Sequence, residues 1–217
     1  MLDLSTDKKQ IELSPNDIKL IHKAFPLIRV LDVESLKLIF SREFNQLYHL
    51  RYVAISGDFK ALPPAFVQLP AAFFRLVRTV KKLSLANIRF SWSEANRLAQ
   101  LESLELLKLK ENAFVGESWE PETGGFSTLQ VLWIERSELE SWEASSLNFP
   151  ILRHLVLISC DKLKAVPLGL ADIHNIQEMR LDNTSKGAVK SAKEIESKKP
   201  KFKLTIFPPE TDSKDTQ

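Results

Sequence analysis

Cys160 and His154 come nearest to a chemical site in this sequence. A cysteine beside an imidazole can lose its proton and attack as a thiolate, and these two lie close together in the chain. The other histidines, His22, His49 and His174, complete a set of four in which no two share metal-ligand spacing. The sequence contains no H-E-x-x-H and no G-x-S-x-G, the local forms of a zinc hydrolase and a serine hydrolase. Gly187-Ala188-Val189-Lys190-Ser191 ends as a phosphate-binding loop ends, but it lacks the upstream glycine that lets backbone amides wrap a phosphate. No catalytic residue and no metal ligand is therefore assigned, and the chain is expected to bind rather than to catalyse.

Composition narrows what it could bind. The 30 basic and 28 acidic residues leave a formal charge of +2, short of the one-sided basic excess of a duplex-binding protein. Nucleic acid is therefore not an expected partner. A hydrophobic share of 44% is enough for a sizeable core. A single cysteine rules out an internal disulfide and suits a reducing compartment. The first ten residues lack an apolar stretch after a basic start, and no run of eighteen apolar residues occurs. Neither a secretory leader nor a membrane span is expected, and Asn183-Thr184-Ser185 is expected to stay unglycosylated although it has the sequon form. These features describe a soluble cytoplasmic chain.

The elements that would position any binding residue come from an internal repeat. L-x-x-L-x-L, with other aliphatics allowed, recurs at Ile28-Leu31-Val33, Leu50-Val53-Ile55, Val80-Leu83-Leu85 and Leu104-Leu107-Leu109. It continues at Leu129-Leu132-Ile134, Leu152-Leu155-Leu157 and Ile176-Met179-Leu181. Successive first positions are 22, 30, 24, 25, 23 and 24 residues apart, and five of these steps fall in the 20–29-residue range of leucine-rich repeats. The last two aliphatics alternate along a short strand and so face one side together. One such unit cannot bury its own apolar face, so the units must stack. The expected fold is an α/β leucine-rich-repeat solenoid of about seven repeats, its parallel sheet lining the concave side, with helical caps at both ends.

The ninth position of each unit supports this reading. Asn112, Ser137, Cys160 and Thr184 are small and polar or thiol-bearing, suited to turning inward where the chain leaves the strand. Cys160 is accordingly read as structural. The return segments match as well: Phe59-Lys60-Ala61-Leu62-Pro63 resembles Leu163-Lys164-Ala165-Val166-Pro167. The 30-residue step between Leu50 and Val80 is irregular, either a long convex segment or, the favoured reading, a place where whole repeats have been lost. Trp119 lies in an insertion-like stretch between Gly116 and Gly125. An exposed loop tryptophan there would be a binding candidate, against the usual burial of that residue.

The ends divide the chain. Ser14-Pro15-Asn16-Asp17 reads as a helix start, with Ile18, Ile21 and Phe25 on one face until Pro26, so residues 1–26 form an N-terminal cap. The array spans 27–184. Ala188, Val189, Ala192 and Ile195 share a face of a second helix between Gly187 and Pro200, and Lys203–Phe207 can add a last strand, giving a C-terminal cap over 185–209. Residues 210–217 are polar and expected to be disordered.

The segments "LIRVLDVES", "LYHLRYVAISGDFKALPPAF" and "LRHLVLISCDKLKAVPLGLADI" resemble the repeat domain of plant intracellular immune receptors. They are most similar to the late blight resistance protein homologues of nightshades, which are coiled-coil nucleotide-binding leucine-rich-repeat proteins. The resemblance covers roughly residues 11–209, and Cys160–Pro167 is its most specific stretch. It implies a role in disease resistance: perceiving pathogen effectors, restraining a nucleotide switch, and supporting the hypersensitive response. It further implies cytoplasmic location, with peripheral membrane association of the parent receptors. ATP or ADP would belong to a nucleotide-binding domain that this sequence lacks, so no cofactor is expected here. The implied partners are proteins: an effector, a guarded host protein, or a nucleotide-binding domain in trans. A free-standing adaptor or scaffold is the alternative.

On the expected concave face the residue between each aliphatic pair points outward: Asp32, Ala54, Ser84, Lys108, Trp133, Val156 and Arg180. From these and their neighbours the partner-binding residues are expected to be Tyr52, Lys82, Lys108, Lys110, Trp133, Glu135, His154 and Arg180. Trp133 and Arg180 are the preferred anchors, since interface hot spots favour tryptophan and arginine. Lys198, Lys199, Lys201 and Lys203 form a basic run that could meet an acidic lipid or partner, or serve only as a solvated helix end.

Overall fold

A computed structural model describes residues 12–38, 46–57 and 71–209. The chain enters as β1 (Glu12–Leu13) and turns into α1 (Pro15–Ala24). Ser14 caps that helix reciprocally: its hydroxyl accepts from the Asp17 amide, and the Asp17 carboxylate accepts from the Ser14 amide at 2.8 Å. β2 (Val30–Leu38), β3 (Tyr52–Ser56), α2 (Ala71–Val77) and β4 (Lys82–Ala86) follow. Next come β5 (Phe90–Ser91), α3 (Trp92–Leu98), β6 (Leu106–Lys110), β7 (Phe114–Val115), β8 (Ser118–Trp119) and β9 (Val131–Glu135). The chain ends with β10 (Ser141–Trp142), β11 (His154–Ile158), β12 (Glu178–Asp182), α4 (Lys186–Ser197) and β13 (Lys203–Phe207).

Nine of these strands form one parallel sheet in the order β1-β2-β3-β4-β6-β9-β11-β12-β13. The return segments form two small parallel pairs, β5 with β7 and β8 with β10. The molecule is thus a mixed α/β chain with few helices, a form compatible with a solenoid. The register explains the sequence pattern: Leu83 pairs with Leu107, Leu107 with Leu132, Leu132 with Leu155 and Leu155 with Met179. In every unit the second and third aliphatics of the pattern are 0–5% exposed. Across the irregular step Tyr52 pairs directly with Lys82, so the long interval, which contains α2, returns the chain without breaking the sheet. Phe59–Pro63 lies outside the described residues, as do residues 1–11 and 210–217.

Backbone hydrogen bonds carry the repeat as faithfully as side chains do. The carbonyls of Arg29, Arg51, Lys81, Glu105, Gln130 and Arg153 each accept from two consecutive amides of the next unit, at 2.8–3.1 Å. After each later strand a residue adopts the left-handed conformation: Asn87, Glu111, Arg136, Ser159 and Asn183, with φ between 47° and 52°. Each lies seven residues after the first aliphatic of its unit. This region is costly for residues other than glycine and, to a lesser degree, asparagine, and here it turns the chain out of the sheet at the same point every time.

Two side chains differ from expectation. Phe25 shares no buried face with Ile18 and Ile21: it is 63% exposed, whereas Ile18 is fully buried. Trp119 is 2% exposed rather than presented on a loop. It belongs to an aromatic column running through the return segments, its ring stacked 4.8 Å from Trp92 and 5.6 Å from Trp142. Phe126 and Phe149 meet it edge-on, and its indole N–H donates to Asn96 Oδ1 at 3.2 Å.

At the C-terminal end Ala188, Val189, Ala192 and Ile195 of α4 are buried as the pattern requires. A Cβ on Gly187 would lie 2.1 Å from the Lys164 carbonyl oxygen. The glycine of this loop-like sequence is therefore needed for close packing of helix on coil.

Candidate protein-binding face

The outward-facing residues of the sheet build one continuous surface. At its centre Lys108, Trp133 and Val156 stand side by side in register on β6, β9 and β11. Trp133 is half-buried. The Lys108 ammonium lies 4.7 Å from the centre of its ring, and its indole N–H donates to Glu135 Oε2 at 3.1 Å. The ring is thus held on two sides, by the attraction of a cation for its face and by a hydrogen bond. Leu106, Val131, Val156 and Ile158 surround it, each half-buried, so the middle of the surface is apolar with one fixed aromatic. Of the four aliphatics only Val156 stands among the residues the sequence placed on this face. The others occupy the outer positions of the same strands.

The N-terminal part of the surface is partly closed. The register of β2 against β3 shifts between Val33 and Lys37, and Glu34 reaches over the sheet. Its carboxylate accepts from Ser84 Oγ at 2.5 Å and pairs with Lys110 Nζ at 2.8 Å. Burial pushes the Glu34 carboxyl upward, but the hydrogen bonds from Lys110 and Ser84 and the charges of Lys110 and Lys108 outweigh it and hold the group below the usual carboxylate range. Ala54 and Ser84, expected to be open on this face, are buried, and the irregular strand edge that covers them leaves no periodic signal. Tyr52 is half-buried, Lys82 exposed, and Lys110 is neutralised by Glu34.

The C-terminal part is a web of ion pairs. Glu178 lies between Lys203 at 3.0 Å and His154 at 3.6 Å; the hydrogen bond from Lys203 lowers its pKa most. Arg180 is exposed and pairs with Asp182 at 3.0 Å. The basic run near the C-terminus is mostly engaged: Lys198 with Glu194, Lys199 with the Ile173 carbonyl, and Lys203 with Glu178.

The turn residues lie at the exits of the strands. Asn112 Oδ1 accepts from the Glu138 amide at 3.1 Å, and Ser137 Oγ from the Leu139 amide at 3.3 Å. The Thr184 hydroxyl is buried with no partner among the described residues. The Cys160 thiol donates toward the Ile158 and Ile134 carbonyls at 3.5 and 3.7 Å, while His154 faces Glu178 at the opposite end of β11. Burial pushes the Cys160 pKa up to about 11, the reverse of what a nucleophile needs. Because the folded value exceeds the unfolded one, burial of the thiol contributes stability below pH ~8.5 that is lost as pH rises through about 11. At pH 8 a maleimide or disulfide reagent should label native Cys160 at least about tenfold more slowly than the urea-unfolded chain. Equal rates would show an open, ionisable thiol.

Among the described residues no group of histidine, cysteine, aspartate and glutamate could hold a metal ion, and no helix is long and apolar enough to cross a membrane.

No protein-family model matches the chain. Among known proteins, the late blight resistance protein homologue R1B-12 of Solanum demissum is 31% identical over 159 residues, 70% of this chain and 11% of its own length. Homologue R1B-16 of the same species is 28% identical over an alignment that covers 100% of this chain and 17% of the relative. The RPP8-like disease resistance protein 3 of Arabidopsis thaliana is 36% identical over 86 residues, 39% of this chain and 10% of its own. The chain spans about a tenth to a sixth of the length of these relatives.

Proposed function

We infer that this chain, a sequence relative of the plant disease resistance proteins of the late blight resistance homologue and RPP8-like kind, is a protein-binding leucine-rich-repeat segment acting in defence. Its task is to recognise a pathogen effector or guarded host protein, to restrain a nucleotide-binding domain in trans, or both. The finer architecture belongs to the same proposal. It comprises seven repeats over 27–184, an N-terminal cap over 1–26 and a C-terminal cap over 185–209, with no catalytic role, no cofactor of its own and a place in the cytoplasm.

The observation that carries the reading is the fixed Trp133 at the centre of an apolar sheet surface, flanked by Lys108 and Glu135. Large amphipathic rings held in place lose little freedom on binding and dominate protein interfaces. The test is a pull-down of the chain against the coiled-coil plus nucleotide-binding half of a full-length relative, with and without Trp133→Ala and Arg180→Ala together. Capture that falls at least about tenfold in the double variant supports a regulatory domain working through this face. No capture by the folded chain removes the regulatory reading and leaves effector or adaptor binding.

A further inference from the structure

The return segments carry a short duplication. Glu117-Ser118-Trp119-Glu120 recurs as Glu140-Ser141-Trp142-Glu143, 23 residues on. The two copies run side by side, Ser118 beside Ser141 and Trp119 beside Trp142, with the indole rings 9° from parallel. They differ in what meets the indole. In the first copy Asn96 bridges two groups: its Oδ1 accepts from the Trp119 N–H and its Nδ2 donates to the Glu120 carbonyl, both at 3.2 Å. Asn96 stands eight residues before Leu104, the first aliphatic of its pattern. Eight residues before Leu129 stands Pro121, whose side chain can neither donate nor accept. The Trp142 N–H accordingly has no partner, although the residue is only 4% exposed. The Glu143 carbonyl, counterpart of the Glu120 carbonyl, accepts no hydrogen bond among the described residues. A buried donor left unmade costs free energy, and this one is left beside a cavity.

Pro121, Trp142 and Glu143 line that cavity, of about 400 Å³, together with Glu120, Asn148 and Leu168. Its walls are tied in place by Asn148, 8% exposed, whose Oδ1 accepts from the Ser145 amide at 2.8 Å and whose Nδ2 donates to the Pro121 carbonyl at 2.6 Å. Its rim is acidic. Glu120 and Glu143 follow the paired tryptophans on neighbouring strands, about 4.8 Å apart at the backbone. Both are exposed and neither forms an ion pair among the described residues, whereas Glu140 is matched by Lys164 at 3.0 Å. Two like charges side by side repel, and a cation set between them relieves both.

We propose that this cavity is a second binding site, which takes an extended basic segment of another protein. A peptide group of that segment does for Trp142 what Asn96 does for Trp119: its oxygen accepts from the indole N–H and its N–H donates to the Glu143 carbonyl. An arginine or lysine beside it places its charge between Glu120 and Glu143. The site lies on the return segments, away from the strand face that carries Trp133, so both can be occupied together.

Titrating the peptide acetyl-Ala-Arg-Ala-amide into the isotope-labelled full chain tests the proposal, read by nuclear magnetic resonance at the four indole N–H groups. The Trp142 signal, assigned through its contacts with Trp119, should move downfield and saturate while that of Trp133 stays in place. Replacing the central arginine by alanine should weaken binding about tenfold, and replacing it by glutamate should abolish it. Glu120→Gln and Glu143→Gln together, both at exposed positions, should leave the melting curve unchanged and weaken the arginine peptide about tenfold. No saturable shift at Trp142, equal binding of the arginine and glutamate peptides, or an unchanged affinity in the double glutamine variant would each overturn the proposal.

Discussion

Truncating Trp119 to alanine is expected to destabilise the fold by about 3–5 kcal/mol, the range for deleting a buried large aromatic. Three causes act together. The ring is 2% exposed, so its whole apolar area returns to a cavity rather than to solvent. It lies between Trp92 and Trp142 at 4.8 and 5.6 Å, so one deletion removes two ring–ring contacts, each worth about 0.5–1.5 kcal/mol beyond area. Its N–H bond to Asn96 leaves a half-buried amide without its partner. Urea unfolding followed by fluorescence and far-ultraviolet circular dichroism measures the loss, and the near-ultraviolet signal of the stacked indoles should fall with it. Trp119→Phe keeps an aromatic ring in the stack and should cost less than half as much. A loss below about 1 kcal/mol for the alanine variant would contradict a packed column.

Leu155→Ala should cost about 2–5 kcal/mol. Leu155 is fully buried and lies between Leu132 and Met179 in register, so the cavity opens where three units share one layer of core. Each unit depends on its neighbours for the burial of its own aliphatics. Hydrogen exchange should therefore accelerate across β9, β11 and β12 together, more than in β3 and β4. Acceleration confined to β11 would mean that the units are less coupled than their shared core requires.

The strands were legible because their periodicity is doubly encoded, in the L-x-x-L-x-L spacing and in the interval between copies. All seven patterns fall on parallel strands in the expected register. The helices α1 and α4 were legible too, the first from its Ser14–Asp17 capping pair and the second from its buried alanine and valine face. The aromatic column was missed because Trp119 was weighed alone, without Trp92 or Trp142. Their spacing of 27 and 23 residues, close to the repeat step, was the available signal, since side chains one repeat apart meet in a stack. The reach of Glu34 to Ser84 and Lys110 had no such signal: it joins residues 50 and 76 positions apart through an irregular strand. On the outward face of the sheet, the sequence placed Trp133 and Lys108 on one surface but gave no indication that the cation sits over the ring.

The six carbonyls that each hold two amides of the following unit have a mechanical meaning. These bonds all point along the axis of the stack, so a pull on its two ends puts the interfaces between units in series, each carrying the whole load, and the weakest gives way first. A sheet loaded in this direction yields like a zipper, rung by rung and at low force, whereas a pull along the strands would have to shear every rung together. A lengthwise pull should therefore part the array unit by unit, while a pull across its width meets all the bonds of an interface together.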